Sequence, residues 1–174
     1  IVNSLLKYNG KARGIHGEDI FKTKQLVRYD VTSGEEIKWG YVGEVTSVDT
    51  EPIIAYTKSD IIPIVTPLGR DRKGQIYNIN ADAAAMHLAC ALKARKLVFI
   101  TDVPGLLRNQ DDPNSLISSL HLNEVEELIN LGVINGGMLP KIRGMASAVK
   151  NGVKKAHIIN SSIAHSLLLE LFTS

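Results

Sequence analysis

The sequence predicts an α/β protein with a largely parallel sheet, and three observations carry that expectation. Strand-like and helix-like segments alternate through the second half, the order that crossover connections impose on parallel strands. The run "KLVFIT" (96–101) is apolar almost without a break, as in a parallel strand covered on both faces. Glycine and proline stand where the periodic segments should stop. At 174 residues, 44% of them hydrophobic, the chain suits one domain with a substantial core.

The elements follow in chain order. "IVNSLLKYNG" reads as the tail of a helix ending at the C-cap pair Asn9-Gly10. It has neither an initiator Met nor signal-peptide form, so the chain is expected to begin inside a larger protein. "KARGIH" reads as a short strand, and "KQLVRY" with "IKWGYVGEV" as strands of a hairpin region. Thr50 is placed to cap a helix over "EPIIAYTKS". "IIPIVTPL" reads as a buried strand with Pro63 and Pro67 near its ends. "GRDRKGQ" is a polar turn, and a helix spans about Asn80 to Ala94. After "KLVFIT", Pro104-Gly105 suits the middle of a type II turn. Asn123 and Glu126 have capping-box spacing before "NEVEELINLG", which Gly132 closes. In "PKIRGMASAVKNG", Pro140 suits the first helical position and Gly152 the end. "KAHIIN" is a strand and "AHSLLLELF" a final helix.

Several functions are excluded by what is present. Twenty Lys+Arg against 18 Asp+Glu give a formal charge of +2, with no basic run interleaved with aromatics, so nucleic acid is not an expected partner. No apolar run approaches the ~20 residues of a membrane span. The single cysteine, Cys90, cannot form an intrachain disulfide, which suits a reducing compartment, and its helical setting suits core packing. The five histidines are scattered without metal-ligand spacing, so no metal ligands are expected. No GxxxxGK[ST], GxGxxG or GxSxG occurs.

Three constellations remain, each with a plain alternative. In "YNINAD", Asn78, Asn80 and Asp82 stand at every second position. Asn80 can cap the following helix, and Asp82 can complement its dipole. Asn78 is left over, because asparagine is poor in strands. On an extended segment Asn78 and Asn80 share a side, where two amides can grip a small polar ligand. In "FITDVPGL", Thr101 and Asp102 end a buried strand, where open parallel sheets bind ligands; Asp102 can equally start the turn. In "NGGMLPK", Gly136-Gly137 permits close backbone approach, and Lys141 opposes a helix dipole that favours anions. Either Lys141 is merely solvated, or it holds an anion there together with free N–H groups.

These motifs, in this order and spacing, with "AHIIN…HSLLLELFT", resemble the acetylglutamate kinases of the amino acid kinase family over about Val2 to Thr173. "RNQDDPNSLIS" is most similar to their cyanobacterial and plastid branch. The resemblance implies an αβα sandwich around a central, mostly parallel sheet, as one partial domain. The nucleotide-binding half would lie mainly in 80–174 and the end of the substrate half in 1–79. It implies transfer of the ATP γ-phosphoryl to the side-chain carboxylate of N-acetyl-L-glutamate, with Mg²⁺, in arginine synthesis. By match, Asn78 contacts that substrate, with Asn80 beside it and mainly a cap. Asp82 orients the catalytic lysines, and Lys141 stabilises the phosphoryl group. Thr101, Asp102 and Gly105 lie beside the nucleotide, with Gly136, Gly137 and Met138 in the adjoining loop. His157 and Glu170 occupy the places that bind inhibitory arginine; the plain alternatives are a satisfied strand histidine and a solvated glutamate. The resemblance further implies a homodimer or hexamer, docking of a PII-type signalling protein, and a cytoplasmic or plastid-stromal setting. The family's amino-terminal lysine and glycine-rich phosphate loop have no counterpart in these residues, so the chain alone is expected to be inactive. Rival readings are a glutamate 5-kinase, aspartokinase or carbamate kinase relative, or a non-catalytic arginine- or PII-sensing module.

Overall fold

The computed structural model describes residues 1–173, apart from the side chains of Lys38 and Thr173. It divides after Leu92 into two compact units, each described by itself.

The first unit opens with α1 (Val2–Lys7), which ends as the asparagine-glycine pair requires. Asn9 takes a left-handed φ of 60° and the Gly10 N–H donates to the Leu5 carbonyl at 2.8 Å. Strand β1 (Ala12–Ile15) leads through the short helix α2 (Gly17–Ile20) into β2 (Phe21–Tyr29) and β3 (Glu36–Val48), which pair antiparallel as the hairpin reading expects. Helix α3 (Glu51–Lys58) forms, but Thr50 makes no side-chain cap. The Asp49 carboxylate instead accepts the Glu51 N–H at 3.0 Å.

"IIPIVTPL" is not one buried strand. It gives β4 (Ile62–Val65), parallel to β1, and then β5 (Leu68–Arg70) in a different sheet. The break lies at Thr66, whose carbonyl accepts the Leu68 N–H at 2.9 Å and whose hydroxyl accepts the Gly17 N–H at 2.9 Å. Pro67 has no N–H to continue a ladder. The approach leaves no room for a side chain at residue 17, where a Cβ would collide with the Thr66 carbonyl. Strands β2, β3, β5 and β6 (Ile76–Asn78) close a small barrel. Helix α4 (Ala81–Ala91) packs on β3, and Ile20, Phe21, Val45, Ile53, Ile79 and Ala84 form one core cluster.

The second unit is built on β7 (Lys96–Thr101) and β8 (Lys155–Asn160), paired parallel in register from Lys96↔Lys155 to Thr101↔Asn160. Cover on both faces of β7 is incomplete, because Ile100 is 57% exposed while Leu97 and Phe99 are buried. After β7, Gly105 has φ 133°, positive but well beyond the ~80° of a type II turn. Helix α5 (Val125–Asn130) starts later than expected, and the Asn123–Glu126 capping box does not form. Glu124 takes its place, accepting the His121 N–H at 2.7 Å. Gly132, at φ 72°, lies past the end of α5 as expected. Helix α6 (Met138–Lys150) begins two residues before Pro140, so that proline is third rather than first. Helix α7 (Ser166–Thr173) packs on β8. The architecture is mixed α/β with a parallel pair in each unit. Among the described residues no helix is long and apolar enough to cross a membrane.

Candidate functional site

In the first unit the barrel presents the asparagines. Along 76–80 the alternation is strict: Tyr77 and Ile79 are buried, while Asn78 and Asn80 are exposed on the opposite side. Asn78 tolerates a strand because it ends one, its backbone registered with Leu68 on β5 and Val42 on β3. Asn80 is the N-cap of α4, its Oδ1 accepting the Ala83 N–H at 3.1 Å. Asp82 follows in the first turn, half-buried, where the helix dipole favours a carboxylate.

In the second unit, Thr101, Gly105, Gly137, Met138 and Lys141 come together in one cleft of about 450 Å³. Its walls are largely apolar, among them Val103 to Leu107, Val133 and Met138. Asp102 and Gly136 are not among the lining residues. Asp102 is exposed and accepts the Thr101 hydroxyl at 3.3 Å, the plain turn arrangement. Gly136 takes φ 50° on the approach to α6.

The entry of α6 has no side-chain cap and no acid in its first turn. Its backbone donors are largely used: the Met138 and Leu139 N–H groups reach the Asn135 carbonyl at 3.1 and 3.3 Å, and Pro140 has none to offer. The expectation of an anion held by free helix N–H groups is therefore reduced to the lysine. The Lys141 ammonium sits 4.8 Å from the centroid of the buried Phe99 ring.

Three residues were missed by sequence reasoning. Phe99 lies two positions before Thr101 on β7, so the strand's period of two marks it. Gln110 and Asn135 line the cleft and hydrogen-bond to each other at 3.1 Å. Asn135 directly precedes the double glycine; no local signal marks Gln110.

A second, larger cavity of about 730 Å³ in this unit is lined by His157 and Glu170 among others. His157 Nδ1 lies 2.8 Å from Glu170 Oε1, and the Lys96 ammonium donates to the Glu170 backbone carbonyl at 2.7 Å. A solvated glutamate does not fit, since the Glu170 side chain is mostly buried, while His157 is a mostly buried strand histidine partnered through one ring nitrogen. Burial pushes His157 below its ordinary value, against the pull of Glu170 and with the help of Lys96 and Lys155. Its Nε2 is buried with no hydrogen-bond partner among the described residues.

The 450 Å³ cleft, apolar with a few polar groups and one lysine, has the character of a small-molecule site, and its lysine could hold an anionic group. Among the described residues no group of three His, Cys, Asp or Glu could hold a metal ion by itself. Magnesium suits such a site only when carried by phosphates and water.

The chain is similar to known proteins in sequence and in fold. The model of the amino acid kinase family matches residues 1–160. Acetylglutamate kinase of Carboxydothermus hydrogenoformans is 48% identical over 99% of this chain, and that of Methanosarcina acetivorans 46% over 99%. The chain spans about 60% of the length of each. Among solved structures, N-acetylglutamate synthase of Neisseria gonorrhoeae, complexed with coenzyme A and L-arginine, superposes with a TM-score of 0.76 at 26% identity, over 93% of this chain and 36% of that one. A protein of Streptococcus mutans gives 0.75 at 29%, over 91% and 62%. With the family model covering nearly its whole length, the chain belongs to the amino acid kinase family.

Proposed function

We propose that the protein carrying this chain transfers the ATP γ-phosphoryl group to the side-chain carboxylate of N-acetyl-L-glutamate. The observation that carries the reading is 46–48% identity to two acetylglutamate kinases over 99% of this chain. The chemistry agrees. A carboxylate nucleophile, with a pKa near ~4.3, is ionised at neutral pH and needs no general base. The work left to the protein is positioning and neutralising charge on the phosphoryl oxygens, which a lysine can do. Magnesium, when bound with ATP, adds to that neutralisation.

In this reading Thr101, Gly105, Gly137 and Met138 bound the nucleotide, with Asp102 and Gly136 in the turns that shape the cleft. Lys141 stabilises the phosphoryl group and Asp82 orients it. Asn78 contacts the acetylated substrate, and Asn80 serves mainly as a cap. The test is turnover by the full-length protein with N-acetylglutamate, glutamate, aspartate and carbamate as rival acceptors. Preference for one of the last three selects another member of the family, and arginine or PII binding without any turnover selects a sensor. Asn78→Ala should raise KM for N-acetylglutamate by ~10-fold, as for a lost substrate hydrogen bond, with KM for ATP unchanged. Non-additive losses on combining Asp82→Asn with Lys141→Met are expected if the two act as a pair. The 174-residue chain alone should show no turnover.

Feedback inhibition by arginine is a second reading, favoured by the 2.8 Å contact of His157 with Glu170 inside a cavity large enough for an amino acid. Arginine titration against turnover tests it, and Glu170→Gln should relieve inhibition. A homo-oligomer, PII docking and a cytoplasmic or plastid location belong to the same reading; sedimentation, PII titration and fractionation test them.

A further inference from the structure

We infer that Phe99 is a positioning residue for Lys141, its ring face holding the ammonium in the cleft where phosphoryl charge develops. The inference rests on the proposed phosphoryl transfer and adds a residue to which the sequence assigns no role beyond the core.

The geometry is specific. Phe99 sits near the end of β7, two residues before Thr101, with its backbone in register with Ile158 on β8. It is 5% exposed, so the surrounding core fixes the plane of its ring. Lys141, in the opening of α6, extends over that ring with its nitrogen 4.8 Å from the centroid. This distance is within the ~6 Å at which the negative face of an aromatic ring attracts a cation. Lys141 itself lines the cleft, whereas Phe99 does not.

The aromatic contact has a consequence for catalysis. A ring face restrains an ammonium without itself adding a counter-charge, which matters most in a partly desolvated cleft. A lysine carries four rotatable bonds, and a mobile ammonium must be ordered at the moment of reaction. Phe99 restrains it beforehand, whatever else the ammonium contacts. The contact therefore acts on the transition state more than on ground-state nucleotide binding, and its loss should appear in kcat rather than in KM.

The test uses the full-length protein with mono-, di- and trifluorinated phenylalanine at position 99. Each fluorine weakens the ring's negative face with little change in volume. A graded fall in kcat, reaching ~3- to 10-fold for the trifluoro ring at unchanged KM for ATP, is expected. Phe99→Leu should fall at least as far. A ring-current upfield shift of the Lys141 ε-methylene protons should be present in the parent and absent in Phe99→Leu, independent of turnover. A flat fluorination series, a change confined to KM, or ordinary ε-methylene shifts in the parent overturns the inference alone. If Lys141→Met leaves turnover intact, the reading of Lys141 fails and the inference with it.

Discussion

The two long helices that carry the candidate residues begin in opposite ways. Helix α4 starts by the local rules: Asn80 caps it at 3.1 Å and Asp82 stands in its first turn. Helix α6 breaks them: a glycine N-cap without a side chain, no acid, a proline third, and a lysine against the dipole. Proteins depart from local consistency mainly where function demands it. The entry of α4 is accounted for by its own cap and first-turn acid, whereas the local rules of helix starts give no reason for the lysine in the entry of α6. The largest expected effect breaks the comparison there. Lys141→Met should lower kcat by at least ~100-fold, the scale seen when one donor to a developing anion is lost. Its urea midpoint should shift little, because removing a cation from a helix N-terminus and losing the contact with the Phe99 ring act in opposite directions. A variant that unfolds while keeping its turnover would reverse the roles assigned to the two helices.

A smaller pair of effects sharpens the same contrast. Asn80→Ala should destabilise the first unit by ~1 kcal/mol, the cost of a lost cap, read by urea denaturation or by exchange of the α4 amides. Gly137→Ser should gain almost nothing, although residue 137 has open space for a side chain. The N3 position that a serine would cap is Pro140, which has no N–H, and the Leu139 N–H already has a carbonyl at 3.3 Å. Gly137 also takes φ −66° and ψ −19°, helical values rather than the extended ones of a capping residue. A gain in stability near 1 kcal/mol for Gly137→Ser would show that the entry of α6 rearranges readily.

The same contrast explains what could be read in the sequence. Elements set by local periodicity were legible: the hairpin of β2 and β3, the parallel run of β7, α4 and its cap, and α6 up to Gly152. The barrel was not, because it is closed by single register points such as Val42↔Asn78 and Lys22↔Arg70, which leave no periodic trace. The split of "IIPIVTPL" was hidden for a similar reason, since Thr66 turns the chain through bonds to Gly17, 49 positions away. The capping box missed by one register: Asn123 and Glu126 have the right spacing, but Glu124 reaches the His121 N–H instead. In the second unit the motifs named most of the cleft. Phe99 opens "FITDVPGL", but its role was not legible, because a buried strand phenylalanine reads as core until a lysine is seen above it.

The smallest expected effect concerns His157, and its sign follows from its surroundings. Burial disfavours the imidazolium, and Lys96 and Lys155 add to this, so the folded-state value lies below the ordinary 6.5 despite Glu170 at 2.8 Å. As pH falls, the unfolded chain takes up the proton first. Between the ordinary value and the lower folded one, the unfolded state binds more protons, so stability falls with pH through that window and levels off below it. His157→Gln has no group to titrate there and should show a flatter profile as pH falls below the ordinary 6.5. A steeper loss in the variant would mean that the Glu170 pair outweighs burial, with the imidazolium as the folded form. In that case the cavity would carry a cation beside Glu170 at neutral pH, and a cationic ligand such as arginine would meet repulsion where it is expected to find a carboxylate.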